Sequence, residues 1–249
     1  SERISRGWRW RAGRNWRYRG FMIPTPAYLE QIKPFLAVEV FQAAQQLEAQ
    51  GRSVIHLEFG EPDLPTPAVI TEAAKQALDR GMTRYTHSLG ILPLREAIAA
   101  HYHAKYGVTV DPENVLVSQG TSLLTFLALL TLLEPGDEVL LPDPTYACYG
   151  SFVRLAHGVP VSVPLFESDG FQLDPAAVKA RITPRTRALM VCSPANPTGV
   201  VMQPSLMREL AELGLPIVSD EIYHGLSYGP EESTMLAHSE QAFVLNGFS

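Results

Sequence analysis

The chain is 249 residues long and carries 20 Lys and Arg against 26 Asp and Glu, a formal charge of -6. Hydrophobic residues make up 46% and charged residues 18%, a globular balance that excludes a disordered chain. The acidic surplus argues against a general nucleic-acid binder, because neutralising phosphates takes an excess of Lys and Arg.

The charge is uneven along the chain. Residues 1–21 hold seven Arg (Arg3, Arg6, Arg9, Arg11, Arg14, Arg17, Arg19) against Glu2, together with all three Trp (Trp8, Trp10, Trp16). Such a basic, aromatic leader reads in two ways. It is an arm that seeks RNA or a membrane surface, or it is translated sequence upstream of a natural start at Met22. The second reading expects residues 1–21 to be disordered or non-native, because regular patterning begins only after Met22. The leader lacks the apolar core of a secretory signal. Residues 22–50 then read as an N-terminal segment and helix, and 51–249 as the main domain.

From residue 54 onward, short β-branched runs alternate with helix-length amphipathic stretches. A helix over 38–50 precedes a strand at 54–57 and helices over 67–80 and 93–106. A strand at 115–118 leads into an apolar helix over 122–133. A strand at 138–141, a helix at 147–156, a strand at 160–163 and a helix at 175–180 follow. The pattern closes with strands at 188–192, 215–219 and 242–245 around a helix at 204–213. Pro67, Pro93, Pro175 and Pro204 sit where a first helical turn tolerates a missing N–H. Strands separated by helices imply crossover connections, so the expected fold is α/β: a three-layer sandwich around a mainly parallel, seven-stranded sheet.

Some chemistries are not expected. Cys148 and Cys192 stand without a CxxC or a His at ligand spacing, so neither a disulfide framework nor a metal site is expected, and a reducing cytoplasm is the default. His101 and His103 are two apart on a helix and point about 200° away from each other, so they cannot chelate together. The longest apolar run, 123–133, has 11 residues where a bilayer span needs about 20.

In a parallel sheet, ligands collect at the carboxyl ends of the strands. After the run at 115–118, Gly120 lets the backbone approach a ligand, and Thr121 and Ser122 bring hydroxyls to a helix N-terminus. That pairing suits a phosphate, although Ser and Thr also cap helices without one. After 138–141, the segment Leu141-Pro-Asp-Pro-Thr-Tyr146 puts Tyr146 at the strand mouth, either on a flat ligand or packed under its own loop. After 188–192, Asn196 precedes Pro197, which keeps it out of the helical region. Asp220 ends an apolar strand, with Tyr223 three residues on. A carboxylate there caps a helix or meets a cation or donor, because desolvating it alone is costly.

These segments, in order and at matching spacing, resemble the class I/II aminotransferases of fold type I, which use pyridoxal 5′-phosphate (PLP). The motifs are Gly60-Glu-Pro-Asp-Leu-Pro-Thr-Pro67, Tyr85-Thr-His-Ser-Leu-Gly-Ile-Leu-Pro-Leu-Arg-Glu-Ala97, Gln119-Gly-Thr-Ser122, Pro142-Asp-Pro-Thr-Tyr146, Asn196-Pro-Thr-Gly199, Ser219-Asp-Glu-Ile-Tyr223 and Val244-Leu-Asn-Gly-Phe-Ser249. The resemblance implies that Gly120, Thr121 and Ser122 hold the cofactor phosphate and that Tyr146 stacks on its ring. Asn196 and Tyr223 would bond the phenolic oxygen, and Asp220 the ring nitrogen. Tyr85 would reach the phosphate of a neighbouring subunit, implying a homodimer, and Gly60 would lie near the substrate carboxylate.

In the family, the lysine that forms the Schiff base directly follows the segment that here reads Asn-Gly-Phe-Ser249. The resemblance therefore implies a large domain cut before that lysine and before the small C-terminal domain, without normal turnover. None of Lys33, Lys75, Lys105 or Lys179 has a matching context. The implied reaction is a ping-pong exchange of an amino group between an amino acid and a 2-oxo acid, with no nucleic-acid or membrane partner. Two alternatives stay open: a carbon–sulfur β-lyase of the same fold, and a non-catalytic PLP- or effector-binding module.

Overall fold

The computed structural model describes residues 8–10, 15–18, 21–24, 26–32, 34–61, 64–229 and 231–248. The chain divides into two compact units, Ser1–Lys33 with Ala100–Val110 and Ser118–Ser249, and Pro34–Ala99 with Asp111–Val117.

The first unit is organised by strands that read as near-continuous apolar runs, the mark of strands buried on both faces. Besides the N-terminal strands β1 (Trp8–Trp10), β2 (Asn15–Tyr18) and β3 (Phe21–Pro24), they are β4 (Glu138–Asp143), β5 (Val159–Pro164), β6 (Thr186–Cys192), β7 (Ile217–Asp220) and β8 (Ala242–Leu245). The last five pair in the order β5-β4-β6-β7-β8, all parallel. Alternation along each strand splits the core in two. Val139, Leu141, Met190 and Val218 pack with Ala128 and Leu129 of α4 (Thr121–Leu132) and Val153 of α5 (Tyr149–Leu155). Leu140, Leu189, Val191 and Ile217 pack the other way, with Val178 of α6 (Pro175–Lys179) and Met207 and Leu210 of α7 (Pro204–Ala211). Three layers result.

The strand order makes the site possible. The chain runs outward from β4 to β5 and then returns to the other side of β4 as β6. The reversal leaves a crevice at the carboxyl ends of β4 and β6, where ligands of such sheets bind. Beyond it, Cys192 is level with Asp220, and Asp220 with Leu245, so three strand ends lie in one row.

The expected runs at 54–57 and 115–118 are not strands. Ile55 and Leu57 are 85% and 89% exposed, and the Val117 N–H bonds the Leu89 carbonyl at 3.0 Å instead of joining a ladder. A β-branched run supplies propensity, whereas a strand also needs a neighbour to pair with. The described part of the sheet therefore has five strands where seven were expected. In the second unit, α1 (Leu36–Glu48) and α2 (Ala68–Asp79) accompany an aromatic cluster in which the Phe41 and Phe59 rings lie 5.5 Å apart. Arg95, 4% exposed, donates to the Pro112 carbonyl and to Glu113 Oε1, both at 2.9 Å.

At the N-terminus, β1, β2 and β3 form an antiparallel meander, with Trp8 opposite Tyr18 and Trp16 opposite Ile23. Within the leader, the described backbone at 8–10 and 15–18 is paired in this meander. Residues 1–7, 11–14 and 19–20 lie outside the described residues. Among the described residues, no helix is long and apolar enough to cross a membrane.

Leu189 is fully buried in the middle of the sheet. Leu189→Ala is expected to cost about 2–5 kcal/mol in chemical denaturation. The exposed Leu57→Ala should stay within about 0.5 kcal/mol.

Candidate active site

The site lies on the face of the sheet that carries α4 and α5. Tyr146 and Tyr223 both pack against that half of the core. Four strand-to-loop or loop-to-helix junctions deliver its side chains.

At the start of α4, Gly120 is the N-cap with φ +82°, a backbone that L side chains rarely adopt, and a Cβ added there would meet nothing within 4 Å. Among the described residues, no side-chain cap bonds the start of this helix. Its first N–H groups therefore stay available beside Thr121 and the exposed Ser122, with the positive end of the helix dipole behind them. The Thr125 hydroxyl donates to the Thr121 carbonyl at 2.9 Å and steadies that first turn.

After β4, the loop carries Tyr146 to the core edge, where its ring meets that of Tyr149 edge-on at 5.3 Å. Burial pushes the Tyr146 phenol well above its usual range, so it stays neutral. After β6, Asn196 Nδ2 donates to the Tyr223 hydroxyl at 3.0 Å, so two residues 27 positions apart in sequence meet as a pair.

Asp220 ends β7 and is 5% exposed. Its Oδ2 accepts the Tyr149 hydroxyl at 2.7 Å and its Oδ1 accepts the Ile222 N–H at 3.2 Å. Burial raises its pKa above 3.8, while the Tyr149 and Ile222 bonds pull the other way. Cys192, beside it in the ladder, is pushed up to about 11 by burial and then by the Asp220 charge, so its thiol stays protonated. No ion pair reaches Asp220 among the described residues.

The structure thus brings together Tyr146, Asn196, Asp220 and Tyr223 within one unit that also holds Gly120, Thr121 and Ser122. Gly60 and Tyr85 belong to the other unit, where Gly60 is exposed and the Tyr85 ring is wholly in solvent. Pro62 and Asp63 of the Gly60 motif, and Ser249, lie outside the described residues. Asn246, near the end, donates to the Tyr102 hydroxyl at 3.3 Å.

Tyr149 is the site residue that sequence reading misses. It stands in the buried stripe Tyr149, Val153, Ala156 of α5 and its C-cap, spaced as a core face. The available signal was the hydroxyl, because a buried Tyr needs a partner for it.

The model for "Aminotransferase class I and II" matches residues 52–249. The chain is 39% identical over 234 residues to a probable aspartate/prephenate aminotransferase of Thermus aquaticus, covering 88% of this chain and 61% of that protein. It is 37% identical over 230 residues to aromatic-amino-acid aminotransferase 2 of Thermococcus litoralis, covering 89% and 58%. The solved structure of Thermus thermophilus aspartate aminotransferase with maleate superposes with a TM-score of 0.87 at 38% identity, covering 91% of this chain and 60% of that one. The chain spans about six-tenths of the length of these relatives.

Tyr149→Phe is expected to cost about 1.5–3 kcal/mol near neutral pH, the range for a hydrogen bond to a charged group. The bond favours the ionised carboxylate, so the cost should shrink as acid protonates Asp220. Denaturation of wild type and variant at two pH values checks both parts, and an equal cost at each would contradict the pairing.

Proposed function

The chain belongs to the class I and II aminotransferases, and on that premise we propose that it serves the PLP-dependent transfer of an amino group between an amino acid and a 2-oxo acid. The observation that carries the reading is Asp220: a buried carboxylate at a strand end, held by one phenol and one backbone N–H and facing no cation among the described residues.

The donor set fits the cofactor. A dianionic phosphate suits an uncapped helix N-terminus with two hydroxyls. A phenolic oxygen suits the paired Asn196 amide and Tyr223 hydroxyl. A protonated ring nitrogen suits Asp220, whose charged form the pairing would favour by about 1.4 kcal/mol for each unit its pKa falls. When bound, PLP supplies the electron sink that stabilises the carbanion left at the substrate Cα.

The chain's own residues orient and tune. Thr121, Ser122 and the first turn of α4 anchor one end of the group. Tyr146 presents its ring to the flat face, backed by Tyr149. Asp220 would hold a proton on the ring nitrogen, and the Tyr149 bond favours its ionised form and aims it. Tyr223 and Asn196 share the phenolic oxygen and so set how readily a proton leaves it. In this reading the exposed Tyr85 serves the neighbouring subunit's phosphate in a homodimer, and Gly60 lies at the substrate carboxylate.

The relatives act, by name, on aspartate, prephenate and aromatic amino acids, which makes an acidic or aromatic amino acid the first donor to try. All are named as aminotransferases, so neither a carbon–sulfur β-lyase nor an effector-binding module is favoured.

The test is a PLP titration followed by absorbance. Asp220→Ala should weaken binding at least about tenfold, the effect of removing some 1.4 kcal/mol or more. Asp143→Ala, an exposed carboxylate bonded to Ser162, should leave it within about twofold. Equal losses in the two variants would refute the assignment of Asp220 to the ring.

A further inference from the structure

Next to Asp220 lies a second buried carboxyl for which the reaction above has no use. Glu221 is fully buried. Its Oε1 accepts the Ser219 hydroxyl at 3.0 Å and the Met235 N–H at 2.8 Å. Its Oε2 is sealed from solvent and, among the described residues, has no partner at hydrogen-bond geometry. The nearest imidazole nitrogen, His224 Nδ1, stands 3.5 Å from that oxygen, just beyond bonding reach. It is already engaged by the Tyr106 hydroxyl at 2.6 Å, while the buried His224 Nε2 has no partner at hydrogen-bond geometry among the described residues. Tyr106 belongs to α3 (Leu92–Tyr106), on the part assigned to the same unit.

We propose that Glu221, His224 and Tyr106 are positioning residues that clasp the turn carrying Asp220 and Tyr223, and that loss of the Glu221 proton rearranges the clasp. The proposal rests on the reading of Asp220 and Tyr223 as cofactor contacts.

Inside a sealed pocket, every polar atom must find its hydrogen bond within the protein. With Tyr106 donating to Nδ1, the neutral imidazole carries its proton on Nε2. Glu221, as a neutral acid, can leave Oε2 bare at modest cost. As an anion it cannot, because an unpartnered buried carboxylate oxygen is far more expensive. Besides the Thr234 hydroxyl, which also favours the anion, the donor facing Oε2 is then His224. Glu221 releases its proton to solvent, the imidazole keeps one proton but carries it on Nδ1, and the Tyr106 hydroxyl turns away from Nδ1. Closing 3.5 Å to a hydrogen bond shifts His224, whose neighbour in sequence is Tyr223 and whose N–H already bonds the Glu221 carbonyl at 3.0 Å. The Asn196–Tyr223 pair at 3.0 Å takes up the movement.

Several charged or titratable groups face this pocket. Asp220 from β7 opposes ionisation of Glu221, while the Met235 N–H and the Thr234 and Ser219 hydroxyls favour it. Tyr102 and Tyr106 from α3 both sense the Glu221 charge. At the mouth, Lys105 pairs with Glu232 at 3.1 Å, and the two act on His224 with opposite sign. Burial dominates: it lifts Glu221 from 4.5 to about 7 and holds His224 below 6.5.

The sign follows. Between pH 4.5 and about 7, the folded chain keeps a proton on Glu221 that the unfolded chain has lost, so this group makes the fold less stable as pH rises through that window. His224 and His238, both held below their usual values, slope the other way. The readout is therefore the difference between wild type and Glu221→Gln, which keeps the shape and the Met235 bond but does not titrate.

The experiment measures melting temperature from pH 5 to 8 and PLP affinity at pH 6 and 8 for the whole chain, as wild type, Glu221→Gln and Tyr106→Phe. In wild type, relative to Glu221→Gln, the melting temperature should fall across the range and PLP affinity should drop about threefold or more between pH 6 and 8. Tyr106→Phe frees Nδ1 for Glu221 at every pH, so it should bind at pH 6 as weakly as wild type does at pH 8. If Glu221→Gln does not fold, Tyr106→Phe alone decides. Wild-type pH dependence in both variants overturns the proposal. PLP that fails to bind at any pH, with the melting difference intact, overturns the cofactor reading and leaves the clasp standing.

Discussion

Parallel pairing of β6, β7 and β8 puts Cys192, Asp220 and Leu245 in one row, and the loops that follow must begin from that row. Strand spacing in a parallel ladder is about 4.8 Å, so residues that end neighbouring strands lie close whatever their distance in sequence. The bond between Asn196, after β6, and Tyr223, after β7, follows from this alignment. Where the order reverses, between β4 and β6, the same constraint leaves room for a ligand.

The strand's two-residue period then separates two carboxyls that are adjacent in sequence. Val218 and Asp220 point to the face of α4 and α5, while Ile217, Ser219 and Glu221 belong with the opposite face, where Met235 lies. Each carboxyl is desolvated, and each is raised by that burial. The donors differ in one member: a phenol and a backbone N–H for Asp220, a hydroxyl and a backbone N–H for Glu221. Asp220 keeps 5% of its surface exposed, whereas Glu221 is fully buried. On the proposal above, their separation by a single peptide is what would let the state of Glu221 reach Asp220 and Tyr223.

The legible parts of the fold were those set by local pattern. Apolar runs at 138–141, 188–192 and 242–245 became strands within a residue or two, and Pro175 and Pro204 began helices as their missing N–H groups allow. The runs at 54–57 and 115–118 misled because propensity was present and a pairing partner was not. At the site, Gly120, Asn196 and Asp220 could be singled out by position: Gly120 opens an apolar helix, Asn196 lies just past an apolar strand and Asp220 ends one. Tyr149 and His224 could not. One reads as a member of a core stripe and the other as a loop residue, and their roles come from partners 71 and 118 positions away.

Taken by itself, the sequence determined the α/β class, the places where strands give way to loops, and the family to which those loops belong, because each depends on residues close together in the chain. Only the tertiary structure decided which strand ends stand side by side, which phenol meets Asp220, and that Glu221 is buried with one oxygen unpaired. Those outcomes depend on desolvation and on hydrogen bonds between distant segments. Burial exists only once the layers have packed, and no periodicity along the chain encodes it.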